Sequence, residues 1–338
     1  MRFASVYLIA SIILAAWLPA PAADVQLYGV SKTRSYAQVS PGAAALFPTN
    51  AFTFAVFVVP TTLTSVTSSA YTKPGGTAQA MNRPPESLTF SAGAQYNTQA
   101  LMDAEFPNGS YAFAMVVTSD LPVFNRSTSL SLTGDGYPNE PVIVNFAAMQ
   151  NVDWTQPLTV QWNPFVGGDT QYDFIQLVIT RANGSRLWAS PDAGQTGALN
   201  GAATQVTIPA NTLVPGESYK ATLGFVNATV NFTGYAMGYP NAFNPSPIVP
   251  GVATYSSTTT FDITAPGSTP SLIITPGAGG SLNLFWNADI GRTYSLRSSP
   301  DLLIWTLVQD ITADATSETV NITPPNGATT LFYRLFKP

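Results

Sequence analysis

The sequence of 338 residues contains no cysteine and no histidine, and only 9% of its residues are charged. Without these residue types the chain cannot form disulfides, zinc sites built on thiolate or imidazole ligands, or the histidine-dependent dyads and triads of hydrolases. Thirteen lysine and arginine residues against 18 acidic ones argue against a nucleic-acid-binding surface. The fold is therefore expected to rely on its hydrophobic cores and not on covalent cross-links.

The composition favours a folded protein made of strands and turns. Hydrophobic residues make up 45% of the chain, which is far more than a disordered segment carries. Serine, threonine, glycine, proline and asparagine are abundant, and they are the residues of turns and strands, whereas helix-forming glutamate and lysine are scarce.

The first 22 residues have the three parts of a secretory signal peptide. Arg2 supplies the positive start, residues 6–18 are apolar, and Ala20-Pro21-Ala22 is a cleavage site of small residues. The sequence thus predicts cleavage after Ala22 or one residue later, with secretion to the exterior or the cell surface. An uncleaved anchor is the alternative, but the apolar run is shorter than the about 20 residues that a spanning helix needs.

Residues 23–138 are predicted to form an N-terminal β-sandwich with one short helix. Residues 52–59 (FTFAVFVV) and 110–117 (SYAFAMVV) are apolar on both faces or nearly so, which is typical of strands buried between layers. Residues 97–106 (NTQALMDAEF) form the helical candidate, with Asn97 in position to cap its N-terminus.

Residues 139–265 are predicted to form a second sandwich. Residues 173–188 read as a hairpin that turns at Asn183-Gly184, and alternating strands precede and follow it. Leu213, Pro215-Gly216 and Tyr219 resemble the turn between strands E and F of fibronectin type III domains. That resemblance implies a buried Tyr219 whose hydroxyl binds upstream backbone, and it implies a core position for Trp162.

Residues 266–270 read as a linker, and residues 271–338 as a small C-terminal sandwich. The run G-x-T-Y-x-L-x-S-S-x-D-L-x-x-W and the final F-Y-R-L resemble C-terminal modules of secreted proteins of Verrucomicrobia-like and Planctomycete-like bacteria. The whole chain resembles secreted proteins of such bacteria, which implies an export route and no chemistry. Trp286, Tyr294 and Trp305 are expected to have structural roles.

The sequence therefore predicts an all-β fold of three consecutive β-sandwich modules of immunoglobulin or fibronectin III type. One segment, residues 227–255, stands out because it combines aromatic residues with an absence of charged ones. Its aromatic side chains can stack on a sugar or a partner protein, or they can pack as a satellite core. The candidate ligand-binding residues are Phe232, Tyr235, Tyr239, Phe243 and Tyr255.

No catalytic motif, metal site or cofactor site is predicted. Asp135, Asn139 and Glu140 share one loop and could supply oxygen ligands to calcium, but they lack the spacing of an EF-hand. The leading hypothesis is a secreted, non-catalytic protein of the cell surface or extracellular matrix that acts in binding or structure, such as an adhesin, fibre or scaffold component. Its partners would be a polysaccharide, an extracellular protein or further copies of itself. The alternatives are a glycan-binding accessory protein and a hydrolase that uses carboxylates only.

Overall fold

A computed structural model describes residues 24–117, 124–168, 172–193, 195–236, 248–267, 270–325 and 330–336. Only the backbone is described for residues 124–126, 229–236 and 248–250. The predicted signal peptide lies outside the described residues. Within these ranges, no helix is both long enough and apolar enough to cross a membrane.

The predicted all-β class is confirmed. In the first predicted module the strands are β1 (Val25–Ala37), β2 (Ala45–Leu46), β3 (Phe52–Pro60), β4 (Val66–Thr72), β5 (Ala78–Ala80), β6 (Phe90–Tyr96), β7 (Gly109–Val117) and β8 (Phe124–Leu132). In the second they are β9 (Leu158–Gln161), β10 (Phe174–Thr180), β11 (Arg186–Ala189), β12 (Leu199–Asn200), β13 (Gln205–Ile208), β14 (Glu217–Ala236) and β15 (Ile248–Ala265). In the third they are β16 (Ile273–Pro276), β17 (Leu282–Asn287), β18 (Thr293–Ser299), β19 (Thr306–Thr312), β20 (Ser317–Ile322) and β21 (Phe332–Phe336). The helices of the described residues are α1 (Gln99–Glu105), α2 (Phe146–Met149) and a 3₁₀ turn (Ala278–Gly280).

The largest sheet joins strands of the first two predicted modules. It has nine strands in the order β11-β10-β14-β15-β1-β3-β6, with β2 paired to β1 and β12 paired to β10. Strand β15 runs parallel to β1, from the pair Tyr28–Gly251 to the pair Ala37–Thr260. Strands on both sides of residue 138 therefore belong to one sheet, and the predicted module boundary there stays a prediction.

The described residues group into two compact units. One comprises parts of residues 24–150, 157–212 and 218–263, and the other comprises parts of residues 151–156, 213–217 and 264–338. The second unit contains the predicted C-terminal module together with two short segments that precede it in sequence. One of those segments contains the Pro215-Gly216 turn, where the Arg292 guanidinium donates to the Pro215 carbonyl at 2.6 and 2.9 Å.

The N-terminal core lies between the nine-stranded sheet and a sheet of order β5-β4-β7-β8. Every residue of β3 is buried, as its doubly apolar sequence predicts. Phe54 points into this core and stacks on Phe106 with a centroid distance of 3.9 Å. Phe106 is the C-cap residue of α1, so this stack fixes the position of the chain two residues before Asn108.

The residue that caps α1 differs from the predicted one. Thr98, not Asn97, accepts a hydrogen bond from the Leu101 N–H through its side chain. The Asn97 Oδ1 accepts instead from the backbone N–H of Asn50. Thr98 is the better placed cap because its extended backbone directs its side-chain oxygen over the first turn.

The C-terminal unit packs two three-stranded sheets, β16-β17-β20 and β19-β18-β21, around a small core. Leu284, Trp286, Tyr294 and Leu296 are completely buried in it. Strand β21 has a buried face, since Tyr333 and Leu335 pack on the core. The outward residues of this strand are Phe332, Arg334 and Phe336.

Candidate functional site

The predicted aromatic segment, residues 227–255, is largely strand in the described residues. Phe232 and Tyr235 lie in β14, where only the backbone is described, and Tyr239 and Phe243 lie outside the described residues. Tyr255 is fully buried, because it faces the N-terminal core from β15. Its burial excludes stacking on a ligand, which corrects that part of the prediction. For the other four residues, ligand binding stays a prediction.

The predicted structural aromatic residues of the nine-stranded unit are buried. Trp162 is 2% exposed, and its Nε1–H donates to the Ala203 carbonyl at 2.8 Å. Tyr219 is 1% exposed. The backbone bond expected for its hydroxyl stays a prediction.

The geometry predicted for Tyr219 occurs at two other tyrosines. The Tyr294 hydroxyl accepts from the Asp289 backbone N–H at 2.8 Å. The Tyr111 hydroxyl donates to the Pro107 carbonyl at 2.7 Å. Each tyrosine follows a turn in which a glycine has positive φ, Gly291 or Gly109. A tyrosine just after such a turn thus closes the turn with its own hydroxyl.

We expect Tyr294→Phe to lower the stability of the C-terminal unit by about 1–2 kcal/mol, because it leaves the buried Asp289 N–H without this acceptor. Urea unfolding of the purified protein measures the change. Tyr333→Phe is the matched control, because that ring packs on the same core but is partly exposed. Equal stability of the two variants would contradict a structural role for the Tyr294 hydroxyl.

One face of the sheet β19-β18-β21 lies opposite the C-terminal core and is here called the outer face. It exposes large apolar residues. Leu307, Phe332 and Phe336 are 37–49% exposed on its strands. The turn before β19 adds the exposed residues Leu303 and Ile304. Clusters of this kind on a soluble domain commonly mark an interaction surface.

Two arginines lie among these apolar side chains. Arg297 on β18 is paired directly with Arg334 on β21. The Arg334 guanidinium lies 4.2 Å from the centroid of the Trp305 ring, and the Arg297 guanidinium lies 5.7 Å from that of Phe336. Trp305 is thus part of this surface, and it is not among the buried core residues. Neither arginine forms a salt bridge with another described residue.

Like charges directly opposite each other in an antiparallel pair are destabilising, so an anion between Arg297 and Arg334 would relieve repulsion. The Arg297 Nε is buried and finds no acceptor among the described residues. Asp310 lies on the neighbouring strand, where it accepts from the Ser295 hydroxyl. The outer face therefore combines two guanidinium groups, aromatic rings and one carboxylate.

A second site surrounds Lys32 in the N-terminal sandwich. The Lys32 side chain is completely buried, and its Nζ donates to Asp103 Oδ1 at 2.6 Å and to Asn108 Oδ1 at 2.9 Å. The Tyr255 hydroxyl donates to the same Asn108 oxygen at 2.7 Å. Asn108 Nδ2 donates in turn to Asp135 Oδ1 at 2.9 Å. Lys32, Asp103, Asn108, Asp135 and Tyr255 are here called the lysine cluster.

Aromatic residues line the lysine cluster. In the sheet, Lys32 is paired with Phe54 on one side and with Tyr255 on the other. Burial, with the nearby Asp135 carboxylate, raises the pKa of Tyr255 to about 12, so its hydroxyl remains a donor at neutral pH. Burial also raises the pKa of Tyr137, whose ring edge contacts Tyr255 at a centroid distance of 4.9 Å.

The side chains of Asp135 and Asn139, two of the three candidate calcium ligands, bind different partners. Asp135 binds Asn108, whereas Asn139 uses its side chain to bind the Val166 N–H and the Pro164 carbonyl. Within the described ranges, no group of three acidic residues could hold a metal ion. Next to Asp103 and Asn108, the Lys32 ammonium occupies the position of a cation.

A cleft of about 410 Å³ in the C-terminal unit holds two carboxyl groups, those of Asp153 and Asp289. Hydrogen bonds from the Thr155 hydroxyl and N–H lower the pKa of the exposed Asp153 carboxyl. Glycoside hydrolysis requires an acid with a raised pKa opposite a second carboxylate. Asp153 does not have the environment of such an acid.

No family model and no curated protein matches the chain. Among solved structures, the chain is similar to the FN1–FN3 domains of chicken CNTN1, with 9% identity, a TM-score of 0.20, and coverage of 84% of this chain and 95% of that one. It is similar to the BSP domain of a biofilm-associated protein, with 11% identity, a TM-score of 0.20, and coverage of 98% and 67%. It is also similar to a tetra-tandem repeat of the extending region of a large adhesion protein, with 12% identity, a TM-score of 0.25, and coverage of 88% and 66%. TM-scores this low give no information about the function of this chain.

Proposed function

We propose that the protein is a secreted, non-catalytic component of the cell surface or extracellular matrix that acts by binding. The observation that carries the proposal is the outer face of the C-terminal unit, where exposed aliphatic and aromatic side chains surround Arg297 and Arg334. Most of the exposed large hydrophobic side chains of the described residues belong to this unit. The nine-stranded unit, by contrast, places its aromatic side chains mainly in cores.

A glycan is a candidate partner for the outer face, and the arginine pair favours an acidic glycan. Trp305, Phe332 and Phe336 can cover the apolar faces of sugar rings. Arg297 and Arg334 can bind carboxylates, for which the planar guanidinium is well suited. Because the chain has a formal net charge of −5, attraction to an acidic polysaccharide would be local to this face and sensitive to salt.

Binding of the full chain to acidic polysaccharides (polygalacturonate, alginate) and neutral ones (cellulose, dextran) tests the proposal. We expect retention on the acidic polymers, and we expect Arg334→Ala to weaken it at least about tenfold, because a hydrogen bond to a charged group contributes about 1.5–3 kcal/mol. Ile273→Ser is the matched control, since Ile273 is 51% exposed on the other sheet of the same unit.

Two other outcomes have clear meanings. If the chain binds no polysaccharide but self-associates, and Phe336→Ser abolishes self-association, the partner is a second copy and the binding role stands. If neither binding nor self-association depends on the outer face, the proposal fails.

A further inference from the structure

The lysine cluster brings together an amine, a carboxamide and a carboxylate, which are the groups that amide formation needs. We propose that Lys32 and Asn108 form an intramolecular isopeptide bond between Lys32 Nζ and Asn108 Cγ. Lys32 lies on β1 of the nine-stranded sheet, and Asn108 immediately precedes β7 of the sheet that packs against it. The bond would therefore join the two sheets of the N-terminal sandwich covalently.

The lysine is positioned as a nucleophile. Its side chain is completely buried, and its neighbours in the sheet are Phe54 and Tyr255, so water is excluded from its stem. The Asp103 carboxylate is 2.6 Å from Nζ and is the proton acceptor. The Asn108 Oδ1 is 2.9 Å from Nζ, so the amine lies beside the carboxamide whose Cγ it would attack.

The asparagine is positioned as an electrophile. Its Oδ1 accepts from both Lys32 and the Tyr255 hydroxyl, which polarises the carbonyl. When the amine attacks, the Tyr255 hydroxyl remains to stabilise the developing oxyanion. Asn108 Nδ2, the leaving nitrogen, donates to Asp135 Oδ1, which holds the carboxamide in one orientation.

The reaction balances without an oxidant or a further reactant. Lys32 Nζ gives a proton to Asp103, and its lone pair forms a bond to Asn108 Cγ. The tetrahedral intermediate then collapses as the Cγ–Nδ2 bond breaks, and the departing nitrogen takes up the proton that Asp103 holds. The products are a secondary amide and ammonia, released as ammonium after Nζ loses its second proton.

Such a bond would give this cysteine-free chain a covalent cross-link. Its two residues are 76 positions apart, so it would constrain the unfolded chain in the way that a disulfide closing a long loop does. Stabilisation of the N-terminal sandwich would suit a protein exposed outside the cell, but the chemistry of the bond does not depend on the proposed binding function.

Mass spectrometry of the purified full chain tests the bond. We expect the mature protein to be lighter than its sequence mass by one ammonia. Tryptic digestion should then yield one branched peptide that contains both Lys32 and Asn108, with no cleavage after Lys32. Lys32→Arg and Asp103→Ala should each restore the unmodified mass and the linear peptides.

Lys220→Arg is the matched control. Lys220 pairs with Asp262 at 2.8 Å, but both side chains are exposed, and this variant should keep the branched peptide. Linear peptides alone from the wild-type chain would overturn the proposal, as would a Lys32–Asp103 link formed by loss of water. Loss of ammonia that persists in Lys32→Arg would identify a succinimide at Asn108-Gly109 and would also overturn it.

Discussion

Replacing Trp286 with alanine is expected to unfold the C-terminal unit while the nine-stranded unit remains folded. Trp286 is completely buried, and it contacts Tyr294 with a ring-centroid distance of 6.2 Å. Truncating a buried tryptophan costs about 3–5 kcal/mol. A single core in a module of this size rarely supplies more than about 3–5 kcal/mol, so the loss is comparable to the total.

Urea unfolding followed by near-ultraviolet circular dichroism should show the loss of one transition in Trp286→Ala. The Trp286 Nε1–H finds no acceptor among the described residues, so removing it loses no hydrogen bond to them. Trp286→Phe should therefore lower the stability of the C-terminal unit much less than Trp286→Ala does. Trp305→Ala is the matched control, because that ring lies under Arg334 on the outer face and outside the core. It should retain both transitions and lose binding. Retention of the transition in Trp286→Ala would contradict the assigned core.

The local elements could be predicted because their sequences determine them. Residues 52–59 are apolar on both faces and form a wholly buried strand, and Asn183-Gly184 turns the hairpin of β10 and β11 with Gly184 at positive φ. In each case the pattern lies within a few neighbouring residues, where periodicity is informative.

The pairing of β1 with β15 could not be predicted in the same way. Alternation of apolar residues shows which face of a strand is buried, but it does not identify the partner strand. Tyr28 and Gly251 are far apart in sequence, yet they are paired, and their pairing joins strands from both sides of residue 138 in one sheet. The predicted boundary at residue 138 was inferred from turns and composition, neither of which reports on long-range pairing.

The lysine cluster escaped sequence reasoning for the same reason. Its members come from β1, α1, the turn before β7, the loop after β8 and β15. One signal was present, since Lys32 occupies the same face of β1 as the buried Tyr28 and Val30. A lysine at an inward position of a strand requires a partner. The position of Lys32 in β1 could indicate that its ammonium needs a buried partner, but it could not identify Asp103 or Asn108 as that partner.

We expect Asp103→Ala to destabilise the N-terminal sandwich more than Lys32→Met does. Asp103→Ala leaves the Lys32 ammonium buried without its carboxylate, and loss of one partner from a buried ion pair costs about 3–5 kcal/mol. Lys32→Met removes the charge from the interior instead. The Asp103 side chain is 30% exposed, so water can solvate its carboxylate when the ammonium is gone. Neither variant can form the Lys32–Asn108 bond as proposed, so the comparison isolates the cost of the buried charge.

Chemical denaturation of the two single variants and the double variant Lys32→Met/Asp103→Ala measures this difference. The double variant should be more stable than Asp103→Ala alone, because it no longer buries an uncompensated ammonium. Alanine at Lys220 or Asp262, an exposed pair, provides the control and should change stability by less than about 1 kcal/mol. Equal losses in Asp103→Ala and Lys32→Met, with no recovery in the double variant, would mean that the ammonium reaches water when Asp103 is absent. Lys32 would then be held less rigidly than its contacts with Asp103 and Asn108 indicate, and the positioning of its amine beside Asn108, on which the proposed isopeptide bond rests, would lose its support.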